Sequence, residues 1–349
     1  MSKGSTALPP RTGSRPPAKP KKQKPRKKRS AMKIFFTLLF SILLIVAAGL
    51  TYLVLQADKA IDEISSPVDE EVVIPPGEAV NEKAVAMLLM GIDARAHGGG
   101  LNTDVMMVAV FNPNSKSATI VTIPRDTNID IEGYRARKAN SFYADFYMNA
   151  LNKKKLSKEA AYADAKQEVR NVMSKLFDID IKYSAVINFQ GFADVVDALG
   201  GVSVDVDKRM KYKDSADGTN IDLEPGVQTL SGEKALDFVR YRKSNNGKNM
   251  SSDFERNARQ SQVIGALTDK MKSFDGVTKI GSVMQAVGKN LTLDMPSKEI
   301  KNMMTTYLGL SRNDITFIPL EGTWRSPYVY MDEEKLKEAR AALQAKMAE

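Results

Sequence analysis

Residues 238–260 read FVRYRKSNNGKNMSSDFERNARQ and hold four arginines, Arg240, Arg242, Arg256 and Arg259, beside Asp253 and Gln260. Arginine presents a planar fork of donors that matches phosphate oxygens two at a time and stays charged. So many guanidinium groups call for a ligand with several negative oxygens, and a pyrophosphate would justify them better than one phosphate. An electrostatic surface patch is the alternative. If FVRYR is extended, Arg240 and Arg242 project to the same side, because side chains alternate with period two. On a following helix, Asp253, Arg256 and Gln260 are three and four apart and share one face.

A second group lies upstream in MGIDARAHGGGLNTD. Asp93 ends one apolar run and Asp104 begins the next, with a glycine-rich connection between them. On neighbouring strands the two carboxylates fall at the same sheet end. Two carboxylates completed by phosphate oxygens and water suit octahedral Mg²⁺ (or Mn²⁺). The alternative is that both merely cap a turn. In TIPRD, Pro124 cannot donate to a ladder and should end its strand. Arg125 and Asp126 then emerge at a strand terminus, where open α/β sheets bind ligands, unless they form only a local surface pair. The single histidine, His97, and the absence of cysteine make Ser-His-Asp and Cys-His schemes improbable. What remains is phosphoryl-transfer equipment, which works by positioning and charge stabilisation.

These residues need a sheet behind them, and the chain supplies one. AVAMLLMGID is an apolar run expected to be a strand buried on both faces. VMMVAVFNP and ATIVTIPR follow across the turn cluster NPNSKS, which predicts an antiparallel hairpin. Residues 157–177 place Ala161, Ala165, Val169, Val172, Met173 and Leu176 on one stripe, with Ser157 as N-cap. Strands are expected at YSAVINF, VSVDV and ITFIPL. Helices are expected at QGFADVVDALGG and over residues 253–272, 277–289, 297–309 and 332–347. The fold class is α/β, a mixed central sheet with helices on both faces.

Charge separates this body from its N-terminus. Twelve of the 51 Lys and Arg fall in residues 1–33, leaving 39 against 42 Asp and Glu elsewhere. A mildly acidic body with a Pro-, Lys- and Arg-rich tail argues against a nucleic-acid partner, and the tail is expected to be disordered. Residues 34–57 carry no charge, long enough for one transmembrane helix. The basic flank predicts a cytoplasmic N-terminus, contact with membrane lipid and an extracytoplasmic body at the cell membrane. Residues 58–83 read as a stalk, and 84–345 as the catalytic domain.

LLMGIDAR, NTDVMMVAVFNP, IVTIPRDTNIDIEGY, VINFQGFADVVDALGGVSVDV, LEPGVQTLSGEKALDFVRYR and DFERNARQ occur in the order seen in the LytR-CpsA-Psr family. Six fragments in register make this resemblance specific, and it covers the whole body. It implies a phosphotransferase that takes a polyprenyl-pyrophosphate-linked glycopolymer, teichoic acid, capsule or similar, and joins it to peptidoglycan through a phosphodiester. By the same resemblance Asp93 and Asp104 are the metal-site aspartates, and Arg125 is the arginine of the Pro-Arg-Asp motif. Arg240 and Arg242 resemble the pyrophosphate pair, with Asp253, Arg256 and Gln260 as helix-borne site residues. Asn140 resembles the asparagine of a Lys-Ile-Asn motif. Many members have Arg-Ser-Asp where this chain reads Asn102-Thr103-Asp104, so one phosphate contact is weaker or falls to Arg95.

The proton of the attacking hydroxyl is assigned to an acid near the metal, with Asp253 as candidate. The family fold implies an apolar lipid tunnel, for which Met106, Met107, Phe189 and Phe192 are candidates beside a plain core role. Sugar contacts are expected from loops 132–155 and 211–224. A lipid-carrier pyrophosphatase, or a non-enzymatic membrane-anchored wall-binding or regulatory protein, are the competing readings.

Overall fold

The computed structural model describes residues 73–93, 100–215, 218–273, 281–283, 285–286 and 288–349. The basic tail, the apolar run 34–57 and the first part of the stalk lie outside the described residues, as do Arg95 and His97. Among the described residues no helix is long and apolar enough to cross a membrane.

Six strands form the central sheet. The first three are β1 (Val85–Ile92), β2 (Thr103–Asn112) and β3 (Ser117–Thr122), and β4 is Ile181–Asn188. After β5 (Val202–Val206), β6 (Met210–Lys213), β7 (Asn220–Leu223) and β8 (Gly226–Leu230) come β9 (Leu291–Leu293) and β10 (Ile315–Pro319). The sheet order is β9-β4-β1-β2-β3-β10. β1 pairs β4 in parallel and β2 antiparallel, and β10 joins β3 in parallel, so the sheet is mixed as expected. The hairpin β2–β3 turns at the predicted NPNSKS cluster.

Both faces are covered. Ala86, Leu88, Met90 and Ile92 of β1, with Met106, Val108 and Val110 of β2, share one core with α1 (Phe142–Asn152), α2 (Lys158–Phe177) and the C-terminal α7 (Glu333–Ala348). Every residue of the predicted α2 stripe is buried, and Ser157 accepts from the backbone N–H of Ala160 at 3.2 Å. Alternate residues of the same strands face the other layer. There lie α3 (Phe189–Ala198), α4 (Gly232–Arg240), α5 (Asp253–Lys272) and α6 (Ser297–Tyr307). Gly232 is required where α3 meets α4, since a Cβ there would sit 2.1 Å from the carbonyl oxygen of Ala193.

Three expectations change. FVRYR is not a strand: α4 runs through Arg240, and the chain leaves it at Tyr241. The segments 132–155 and 211–224 are only partly loop, because they contain α1 and the β6–β7 hairpin. The end of the stalk is packed into the body. Val80 is buried, its N–H donates to Glu299 Oε2 at 2.8 Å, and Tyr307 Oη donates to its carbonyl at 3.2 Å.

Candidate active site

The site lies at one end of the sheet, where β1, β2 and β3 finish or begin. Ile92 pairs with Thr103 and Gly91 with Val105, so Asp104 is the extra residue of a bulge. A bulge re-aims a side chain, and here it turns Asp104 toward the helix layer that holds Val105 and Met107, away from Met106. Asp93 follows β1 at the same sheet end, as the spacing predicts. Arg125 follows Pro124 beyond β3, and its Nη1 is bonded to Asp104 Oδ1. The backbone N–H of Asn140 donates to the Arg125 carbonyl at 3.0 Å, which places Asn140 beside that arginine.

Helix α5 supplies the second side. Its N-terminus is closed by a capping box between Ser252 and Glu255. One turn in, Arg256 Nη1 donates to Asp253 Oδ1 at 2.8 Å. Burial pushes the Arg256 guanidinium below its usual range; Asp253 opposes this, Arg125 adds to it, and Asp104 opposes it again. Arg125 and Arg256 are therefore two cations crowded around Asp104. Among the described residues their buried Nε–H groups find no acceptor, and a buried donor left this way favours an anionic ligand.

The remaining arginines divide by role. Arg240, at the end of α4, stacks over the Phe189 ring at 4.6 Å. Arg242 does not share its side; its Nη2 reaches Asp126 Oδ2 at 3.6 Å. Arg259 is a structural staple, donating to Asp207 Oδ1 at 2.9 Å, the Tyr241 carbonyl at 3.1 Å and Ser251 Oγ. Asp126 is buried and accepts from Lys138 Nζ at 2.9 Å. Burial would raise its carboxyl, but the Lys138 bond and the charges of Arg125, Lys138 and Arg242 hold it below the ordinary carboxylate range. Lys138 was missed in the sequence; no spacing rule links it to an aspartate twelve residues earlier.

Between the sheet and α3, α4 and α5 runs a cavity of about 270 Å³. Leu89, Val105 and Met107 line it from the sheet, Phe189 and Phe192 from α3, Leu236 and Val239 from α4, and Val263, Ile264 and Leu267 from α5. Its polar lining includes Asp104, Arg240, Arg256 and Gln260. Three of the four tunnel candidates thus line it, whereas Met106 packs into the opposite core. The predicted shared face of α5 is realised: Arg256 and Gln260 border the cavity while Asp253 holds Arg256.

Fold and site define an α/β protein with an apolar cavity beside its sheet, bordered at its polar end by arginines and Asp104. The profile of the LytR_cpsA_psr family matches residues 51–345, and the chain belongs to that family. The polyisoprenyl-teichoic acid–peptidoglycan teichoic acid transferase TagU of Oceanobacillus iheyensis is 29% identical over 307 residues, 85% of this chain and 88% of that protein. The crystal structure of Bacillus subtilis TagV superposes with a TM-score of 0.59 at 26% identity, over 76% of this chain and 98% of that one. A structure of TagT bound to LI-WTA gives 0.55 at 26% identity, over 80% and 100%.

Proposed function

We propose that this chain is a transferase that moves a glycopolymer from a polyprenyl-pyrophosphate carrier to a muramic acid hydroxyl of peptidoglycan, leaving a phosphodiester. The observation that carries this reading is the apolar cavity whose polar lining includes Asp104, Arg240, Arg256 and Gln260, with Arg125 on Asp104. Such a site suits a prenyl chain joined to a pyrophosphate. The relatives named above support the same donor and acceptor classes.

In the reaction, the muramic acid hydroxyl oxygen attacks the phosphorus that carries the sugar. A new P–O bond forms as the P–O bond to polyprenyl phosphate breaks, and the hydroxyl proton passes to an oxygen of the departing phosphate. Arg125 and Arg256 present donors to the oxygens that gain charge, in a setting screened from water. Arg240, over the Phe189 ring, would face the leaving phosphate, while Arg242 stays with Arg125 and Lys138 around Asp126. Asp253 orients Arg256; with a guanidinium 2.8 Å away it is a weak base, so it serves better as a positioning residue.

Asp93 and Asp104, at the same end of the sheet, are the residues that would hold a divalent cation, since two carboxylates completed by phosphate oxygens and water suit Mg²⁺. Bound there, Mg²⁺ would neutralise pyrophosphate charge. Residues 34–57 would anchor the chain in the cell membrane with the site outside.

The test incubates the full chain with Mg²⁺, a polyprenyl-pyrophosphate-linked saccharide and peptidoglycan oligomers, and reads the products by mass spectrometry. The expected product is saccharide joined to glycan by a phosphodiester. Carrier cleavage without that adduct would replace the transferase with a pyrophosphatase.

A further inference from the structure

A second concavity lies on the far side of Asp126, outside the cavity described above. It is an open groove of about 610 Å³ whose lining includes Arg135, Arg137, Lys153, Asn149, Asn152 and Tyr328. Its one carboxylate, Asp145, is already held by Arg137 at 2.5 Å. The Arg137 guanidinium also lies over aromatic rings, 5.2 Å from the Phe142 centroid and 5.9 Å from that of Phe146. Three cations against one paired acid give the groove a net positive charge, and the amides of Asn149 and Asn152 suit hydroxyl partners.

The chain's single tryptophan stands beside it. Trp324 is 49% exposed, leaving an indole face open to a ligand. Lys138 Nζ lies 6.0 Å from the Trp324 ring and 5.9 Å from the Tyr328 ring. Through its bond to Asp126, Lys138 ties this aromatic edge to the segment that carries Arg125.

We propose that the groove is a docking track for the anionic saccharide chain of the donor, with cations on its phosphate or carboxylate groups and the Trp324 and Tyr328 rings on its sugar faces. The occupant's identity rests on the transferase reading above; the chemistry of the groove does not. Charge complementarity favours a polyanion over an uncharged glycan strand, which would make no use of Arg135, Arg137 and Lys153. The absence of a continuous apolar lining argues against a lipid chain.

Trp324 is its own reporter. Its emission in the full chain in detergent is followed during titration with a carrier-free poly(glycerol phosphate), and separately with an uncharged disaccharide. The expected result is a saturable change with the polyanion only, suppressed at high ionic strength. The double variant Arg135→Ala, Lys153→Ala should raise the Kd about tenfold or more without lowering the Tm, since both side chains sit on the rim of the groove. Arg125→Ala should retain the emission change although transfer is lost, which separates failure of the groove from failure of the transferase reading. An equal response to the uncharged disaccharide would overturn the proposal. So would full-strength polyanion binding by the double variant, or no heat of binding in calorimetry with the wild type.

Discussion

Arg125 is bonded to Asp104 at the end of the sheet, so each side chain fixes the position of the other. In the proposed reaction a pyrophosphate would take up the Arg125 donors and a divalent ion the Asp104 carboxylate. Arg125→Ala should therefore keep the fold and lower transfer by roughly a hundred- to thousandfold. Arg125→Lys should rescue little of it, because an ammonium lacks the fork. A single-turnover assay beside a thermal melt checks both, and undiminished transfer by Arg125→Ala would sink the mechanism.

Asp253→Asn separates a positioning carboxylate from a general base. An amide oxygen still accepts from Arg256, so the positioning role predicts a moderate rise in KM and an unchanged acid limb of the pH–rate profile. Loss of that limb, with kcat down by about 10²–10⁴, would return Asp253 to the role of proton acceptor.

Burial in α4 and the nearby Glu233 push the Asp237 carboxyl up to about 6, against the opposing charge of Arg240. A raised acid favours the fold below its unfolded value near 4, and that contribution is lost as pH rises through about 6. Asp237→Asn should then stabilise the fold at pH 7.5 by about 1 kcal/mol, after discounting for the part that solvent screens, and raise the Tm accordingly. Differential scanning calorimetry from pH 4 to 8 should show the wild-type Tm falling relative to the variant across that range.

Asp126 behaves in the opposite sense. Its lowered carboxyl stabilises the fold above the ordinary carboxylate value, and the contribution disappears as pH falls through the depressed one. Asp126→Asn leaves the partly exposed Lys138 without its carboxylate partner and should cost about 1 kcal/mol at neutral pH. Urea denaturation at pH 7 and pH 3 would expose the difference, which should shrink at the lower pH.

Ala185 lines the cavity from β4. Ala185→Phe puts a ring into that space and should raise the KM for a long-prenyl donor at least about tenfold, while a donor with a short soluble chain is turned over as before. Overpacking costs about 1–3 kcal/mol, so the melt is measured alongside. Equal effects on both donors would show that the cavity does not hold the prenyl chain.

Much of this architecture is legible in the residues. The stripe of α2, the cap at Ser157, the hairpin at NPNSKS and the pairing of strand ends near Asp93 and Asp104 all follow from period and turn chemistry. FVRYR misled because Phe, Val and Tyr favour strands when read alone. The helical period of Ala235, Leu236, Phe238 and Val239 appears only when the window opens earlier, at Ser231. The bulge was not legible, since a period of two carries no mark of where one residue is added. Nor was the partner of Lys138, which depends on how the chain returns after Asp126.

The extra residue at Asp104 has a consequence for how the site can vary. Its carboxylate faces the arginines because of a count, one more residue on β2 than on β1 across the bulge. Deleting one residue there would leave every acid and base in the sequence, yet turn the carboxylate into the opposite core among Met90 and Met106. The charged residues would be untouched and the chemistry gone. The site is written in spacing as much as in residue type, and a single-residue deletion would read as harmless in any inventory of side chains.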